Sequence, residues 1–251
     1  MRLLETLRSR ARRALEAPAP EPVDYDRIAA IVRTVAEEVY HRRWSMAHQL
    51  RSASAADSAR FVLQHIPLHL AKSHYELRRD AVNAAPADGL FLEFGVWQGS
   101  WLRQMAALRE ERFFGFDSFE GLPEPWSVYG AGTFDLSGSL PDMPANVELV
   151  KGWFQDTIPP FLAEHPEQVS FVHLDCDLYS SAKTVLDAIG DRCREGTQIV
   201  LDDFMLEPGW EREEHRAFFE FIESGRWRFE YTGYAYESPG CSAGVRLLGR
   251  D

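Results

Sequence analysis

Cysteine is scarce in this chain of 251 residues, and Cys176, Cys193 and Cys241 form an odd set whose spacing matches no zinc pattern. That excludes a disulfide-built secreted scaffold and a structural zinc module, and makes a reducing cytoplasm the expected compartment. No run of about 18 apolar residues occurs, so neither a transmembrane helix nor an integral membrane partner is expected. The stretch from Met1 to Leu15 has no apolar core of the kind a secretory signal carries. Positive charge is also in deficit. Lys and Arg number 27 against 39 Asp and Glu, a net charge of -12. Phosphate binding needs a basic face, so nucleic acid is excluded as the main partner, whereas a metal-binding carboxylate cluster is compatible with the balance. The three-glycine fingerprint Gly-x-Gly-x-x-Gly is missing too, which removes the phosphate cradle that a nicotinamide dehydrogenase requires.

What is present suffices for a sizeable core: 45% hydrophobic residues, with 12% aromatic. One α/β domain with an N-terminal extension is the expectation. Residues 1–22 comprise a basic amphipathic stretch, with Leu3, Leu4, Leu7, Ala11 and Leu15 on one face, and a Pro-rich linker. Such a helix can lie on a membrane or pack on a partner subunit. Residues 23–87 read as a helical N-terminal extension, with helices over 24–44, from about Ala55 to His65, and over 73–84. A dimer through these helices is the expected assembly.

Residues 88–251 alternate strand and helix. Strands are expected at 90–94, 113–117, 147–151, 169–175 and 197–202, then at 227–231 and 242–248 as a closing antiparallel hairpin. Seven strands, mostly parallel, with helices on both faces define the expected sheet. Ligands of such sheets bind beyond the carboxyl ends of the strands. Glu93, Asp117, Asp175 and Asp202 each close a strand there. Residues 118–146 interrupt the rhythm with glycines, prolines and the aromatics Trp126, Tyr129 and Phe134. A loop this long is either an active-site lid or a packed surface loop.

Three constellations carry chemistry. The first is Glu93-Phe-Gly-Val-Trp-Gln-Gly-Ser100, a strand-to-helix turn on Gly95 and Gly99 that suits a small zwitterion better than a pyrophosphate. A tight turn without a ligand is the alternative. The second is Asp117, placed to accept ribose hydroxyls or to cap a turn. The third joins Asp175-Cys-Asp-Leu-Tyr179 with Asp202 and Asp203. Carboxylates converging in one spot repel and need a cation, and all-oxygen ligands favour Mg²⁺. The alternative is one Asp capping a helix and another paired with Arg or Lys.

These motifs, with Gly115-Phe-Asp-Ser-Phe-Glu-Gly-Leu-Pro123, Gly152-Trp-Phe-Gln-Asp-Thr-Ile-Pro159 and Val200-Leu-Asp-Asp-Phe204, resemble the macrocin-type O-methyltransferases over about residues 88–248. Those are class I S-adenosylmethionine-dependent enzymes on a Rossmann-like fold that methylate hydroxyls, often of natural-product sugars. The resemblance implies that Glu93, Gly95, Gly99 and Ser100 hold the methionine end of S-adenosylmethionine. It implies that Asp117 and Ser118 take the ribose and that Gln155 and Asp156 meet the adenine. Asp175, which borders the cofactor as well, would bind Mg²⁺ with Asp202 and Asp203. Asp175 and His215 are the candidate bases, because Leu178 stands where catechol-type relatives place a lysine. The implied substrate is a small-molecule or sugar hydroxyl. A metal-independent enzyme, an N-methyltransferase and a non-catalytic binding protein are the alternatives.

Overall fold

The computed structural model describes residues 25–236 and 241–251, so the basic stretch and linker expected over 1–22 lie outside the described residues. The chain forms two compact units, Met1–His48 and Gln49–Asp251. In the first lies α1 (Tyr25–Arg43), whose apolar stripe Ile28, Ile31, Val32, Val35 and Val39 is solvent-exposed. The boundary falls in the first turn of α2 (Met46–His65). This helix starts well before the expected Ala55, and its first two turns, Met46 to Ala53, are exposed.

The second unit is a mixed sheet of eight strands. They are β1 (Ala71–Lys72), β2 (Leu90–Phe94), β3 (Phe113–Asp117), β4 (Val147–Lys151), β5 (Val169–Leu174), β6 (Cys193–Met205), β7 (Trp227–Ala235) and β8 (Cys241–Arg250), in the order β1-β7-β8-β6-β5-β2-β3-β4. β8 runs antiparallel to both β6 and β7, and the other pairs are parallel. The fold is therefore the expected Rossmann-like α/β sheet with an antiparallel C-terminal hairpin. The strand count corrects the expected seven: β1 has two residues, too short for any periodicity, and pairs with Tyr234 and Ala235 of β7.

The remaining helices are α3 (His74–Ala84), α4 (Ser100–Ala106), α5 (Phe154–Glu164), α6 (Tyr179–Ile189) and α7 (Glu214–Gly225). A reciprocal capping box starts α3: Ser73 accepts the Glu76 amide, and the Glu76 side chain accepts the Ser73 amide. Strand alternation divides the core into two faces. Leu90, Leu92, Phe94, Val172 and Leu174 pack with Ile158, Val185 and Phe218 on one, and Phe91, Phe171 and Val200 pack with Leu77, Val82 and Leu102 on the other. Glu93, His173 and Asp202 share the parity of the second face. Register sets Glu93 beside His173, and α3 packs on the neighbouring β6, β7 and β8.

Candidate active site

The turn after β2 is dictated by close approach. Gly95 has φ +90°, and a Cβ there would lie 1.6 Å from the Asp175 carbonyl oxygen. No side chain fits, so the turn and the loop after β5 meet backbone to backbone. The Asp175 amide donates to the Phe94 carbonyl at 2.9 Å. Asp117, at the end of β3, pins the same turn: its Oδ2 accepts the amides of Val96 and Trp97 at 2.8 Å each, and its Oδ1 accepts the Phe119 amide at 2.7 Å. A carboxylate has about four acceptor positions, so room for about one further donor remains.

Beyond the carboxyl ends of these strands opens a cavity of about 830 Å³. Gly95, Ser100, Asp117, Ser118 and Gln155 line one part, and Asp175, Asp177, Asp202 and Asp203 another. The 118–146 segment supplies a wall through Trp126, Tyr129 and Phe134, faced by Trp97. Trp126 and Tyr129 are stacked with centroids 5.3 Å apart, and Trp97 meets Phe134 edge-on at 5.5 Å. The segment is held by its own backbone bonds: Trp126 and Tyr129 exchange both, and Leu122 donates to Thr133 while accepting from Gly132.

The acids form one electrostatic unit. Asp175, Asp202 and Asp203 each offer an oxygen within 4.8 Å of the others. Burial, then the charge of Asp202, pushes Asp175 and Asp203 well above the usual carboxylate range. Asp177, in the left-handed region at φ +64°, is pushed up to about 6 by burial. Burial opposes the charge of Asp202 too, yet Arg78 and His173 hold its carboxyl well below the usual range. Under the cluster lies Glu214, fully buried, raised to about 8 by burial. Its Oε1 accepts the amides of Cys176 (3.0 Å) and Asp177 (3.1 Å), and its Oε2 accepts that of Asp203 (3.3 Å). Glu214 thus ties the loop after β5 to β6.

A second network runs behind the cavity. Arg78 of α3 donates from Nη2 to Asp202 Oδ1 and from Nε to His173 Nε2 at 3.0 Å. An arginine Nε–H is always a donor, so His173 Nε2 accepts and its proton sits on Nδ1, which donates to Glu93 Oε1 at 2.7 Å. Ser242 adds a donor to Asp202 Oδ1 at 2.7 Å. Glu93 Oε2 is buried with no hydrogen-bond partner, and burial pushes this carboxyl up. An orphaned carboxylate oxygen at the glycine turn suits a cationic ligand group.

The expected residues are only partly brought together. Gly95, Ser100, Asp117, Ser118, Gln155, Asp175, Asp202 and Asp203 line the cavity. Glu93 lies behind the turn; Gly99 (the N-cap of α4) and Asp156 (the first turn of α5) are not among the lining residues. His215 lies elsewhere, its ring among Phe61, Phe204, Trp210 and Phe219 at centroid distances of 4.6–5.1 Å. Its Nε2 is buried without a partner, and burial, with His65 nearby, lowers its pKa to about 4. The pairing of an Asp with an Arg, the structural alternative for the acid cluster, holds for Asp202. Sequence reasoning missed Asp177, although it stands two residues from Asp175, and missed Glu214, which sits beside the His that drew attention. Arg78 carries no local signal.

Residues 92–204 match a family described as a methyltransferase domain. A tetracenomycin-type rhamnosyl 4'-O-methyltransferase of Streptomyces olivaceus, 8-demethyl-8-(2,3-dimethoxy-alpha-L-rhamnosyl)-tetracenomycin-C 4'-O-methyltransferase, is 28% identical over 157 residues, 50% of this chain and 58% of that protein. Demethyldecarbamoylnovobiocin O-methyltransferase of Streptomyces niveus is 25% identical over 168 residues, 56% of this chain and 62% of that protein. The chain spans about three fifths of the length of these relatives. The crystal structure of CalS11, a calicheamicin methyltransferase, superposes with a TM-score of 0.52 at 23% identity, over 80% of this chain and 93% of the other. That likeness concerns the fold.

Proposed function

We propose that the protein, whose residues 92–204 match a methyltransferase-domain family, is an S-adenosylmethionine-dependent O-methyltransferase acting on a hydroxyl of a small molecule or of a natural-product sugar. The observation that carries this reading is one cavity in which the glycine turn, five aspartates and an aromatic wall meet. Both curated relatives are O-methyltransferases of natural products, and one acts on a rhamnosyl group.

The residues fit the cofactor. Glu93 Oε2, the orphaned acceptor, would take the ammonium of the methionine end beside Gly95, Gly99 and Ser100. Asp117 and Ser118 would receive the ribose, and Gln155 with Asp156 the adenine. When bound, S-adenosylmethionine supplies a methyl group already activated on a sulfonium. The residues also fit a divalent cation: Asp175, Asp202 and Asp203 form an all-oxygen set whose mutual repulsion a cation relieves. When bound, Mg²⁺ would polarise the acceptor hydroxyl and lower its pKa. The aromatic wall would orient the acceptor, excluding water and aligning its oxygen with the methyl group.

The proton would pass to Asp177, which lines the cavity outside the three-carboxylate set. Asp175 belongs to that set, and His215 stands outside the cavity walls. Calorimetry with S-adenosylmethionine, followed by turnover with and without chelator, tests the reading. Binding with turnover that chelator abolishes is expected. Full turnover in chelator would make the enzyme metal-independent, and absence of cofactor binding would leave a non-catalytic binding protein.

Two wider proposals accompany this one. The exposed apolar stripe of α1 would pair with a second copy, which light scattering tests. The cysteines, all free and buried, suit a reducing cytoplasm. Among the described residues no helix is long and apolar enough to cross a membrane.

A further inference from the structure

We propose that Arg78 is a positioning residue that sets both halves of the site from behind: the carboxylate that would face the cation and the carboxylate that would face the cofactor's ammonium. The inference rests on the functional reading above.

Arg78 is 2% exposed and lies on α3, outside the matched span 92–204. Its guanidinium is fixed on every side. It packs over the ring of Trp101, a cavity-lining residue, with 3.9 Å from Cζ to centroid, and Nη1 donates to the His74 carbonyl at 3.1 Å. The other two donors diverge, Nη2 to Asp202 Oδ1 and Nε to His173 Nε2.

At Asp202 both bonds, from Arg78 and from Ser242, fall on Oδ1. The rotamer is thereby locked and Oδ2 is the oxygen left for a ligand. At His173 the arginine occupies Nε2 and dictates the tautomer. The ring must then donate from Nδ1 to Glu93 Oε1, which leaves Oε2 as the free oxygen. One planar cation therefore decides which oxygen of each of two acids stays available. The acids sit on different strands, β6 and β2, with β5 between them. A lysine cannot reproduce this. Its ammonium is a point donor on a flexible stem, whereas the guanidinium holds two partners at a fixed angle.

The test is Arg78→Lys, with His173→Phe as a second variant that keeps the Arg78–Asp202 bond and removes the branch to Glu93. Each is assayed at 10 °C after circular dichroism has shown it folded, so that loss of fold does not enter. Mn²⁺ affinity is read by electron paramagnetic resonance and S-adenosylmethionine affinity by calorimetry. For Arg78→Lys, both affinities are expected to fall about tenfold or more, as for other residues that orient metal ligands. For His173→Phe, cofactor affinity is expected to fall while Mn²⁺ affinity stays within about threefold of wild type. A merely structural arginine would leave both affinities unchanged in folded protein. Folded Arg78→Lys that binds both as wild type does, or His173→Phe that loses both equally, overturns the proposal. Wild-type protein that binds neither overturns the functional reading, and this inference falls with it.

Discussion

Replacing Glu214 with alanine removes the acceptor of three buried amides, those of Cys176, Asp177 and Asp203. A buried amide left without its partner costs about 1–3 kcal/mol. The Asp203 contact, at 3.3 Å, belongs at the low end, and the two shorter ones belong near the middle. The loss of folding free energy is therefore about 5 kcal/mol, before any cost of the cavity left behind. Glutamine separates the contributions. Its carbonyl can still serve Cys176 and Asp177, but its NH₂ would confront the Asp203 amide donor to donor. Only that weakest bond is lost, and the cost is about 1–2 kcal/mol. Urea denaturation of the three proteins measures both figures. Since each carboxylate of the cluster is carried on a segment that Glu214 ties, divalent-cation affinity should fall in the same order. Alanine within about 0.5 kcal/mol of wild type would refute the idea that this side chain holds the two loops together.

Other perturbations follow from the same geometry. His215→Phe should leave turnover largely intact, since the ring stands away from the cavity, and should flatten the acid sensitivity of folding. The buried imidazole has its pKa lowered to about 4. Stability is then complete above the unfolded value of about 6.5 and is lost as pH falls toward 4, because the unfolded chain takes the proton first. The partly accessible ring reduces this to about 1–2 kcal/mol, readable as melting temperature against pH. A variant that folds as before but loses all turnover would restore His215 as the base. Gly95→Ala should cost about 4 kcal/mol or more or abolish soluble expression, because the new Cβ meets the Asp175 carbonyl oxygen at 1.6 Å. Trp126→Ala should raise the acceptor KM with cofactor affinity unchanged; an equal loss of both would place the wall on the cofactor instead. Glu93→Gln should weaken cofactor binding more than folding, measured by calorimetry beside urea denaturation.

The central strands were legible because both their faces are covered. Leu90–Phe94 and Val169–Leu174 are buried along their whole length, and such strands read as continuous apolar runs in which a terminal acid stands out. β1 left no trace, as two residues carry no pattern. The front of α2 escaped because Met46 to Ala53 face solvent, so no core contact marks where the helix begins. In the site, the acids that end strands were found and the groups that hold them were not. Glu214 in Glu213-Glu-His215 looks like a solvated helix start. It turns inward because the Cys176, Asp177 and Asp203 amides supply three donors there, a fact of tertiary structure. His215 misled because nearness in sequence to the end of β6 says nothing about which side of α7 it occupies. That side faces Phe61 of α2 rather than the cavity.

Leu206 adopts φ +81°, an unfavourable conformation for a branched side chain, at the point where the chain leaves β6 for the cavity-lining Glu207. The kink is latched by two hydroxyls of α2: Ser58 accepts the Leu206 amide at 3.0 Å, and Ser54 donates to the Glu207 carbonyl at 2.9 Å. The smallest transplantable piece of this chain is thus larger than the span that matches a known family. A graft or truncation cut at residue 88 would discard the latch along with Arg78, and would leave a cavity whose rim is free to relax.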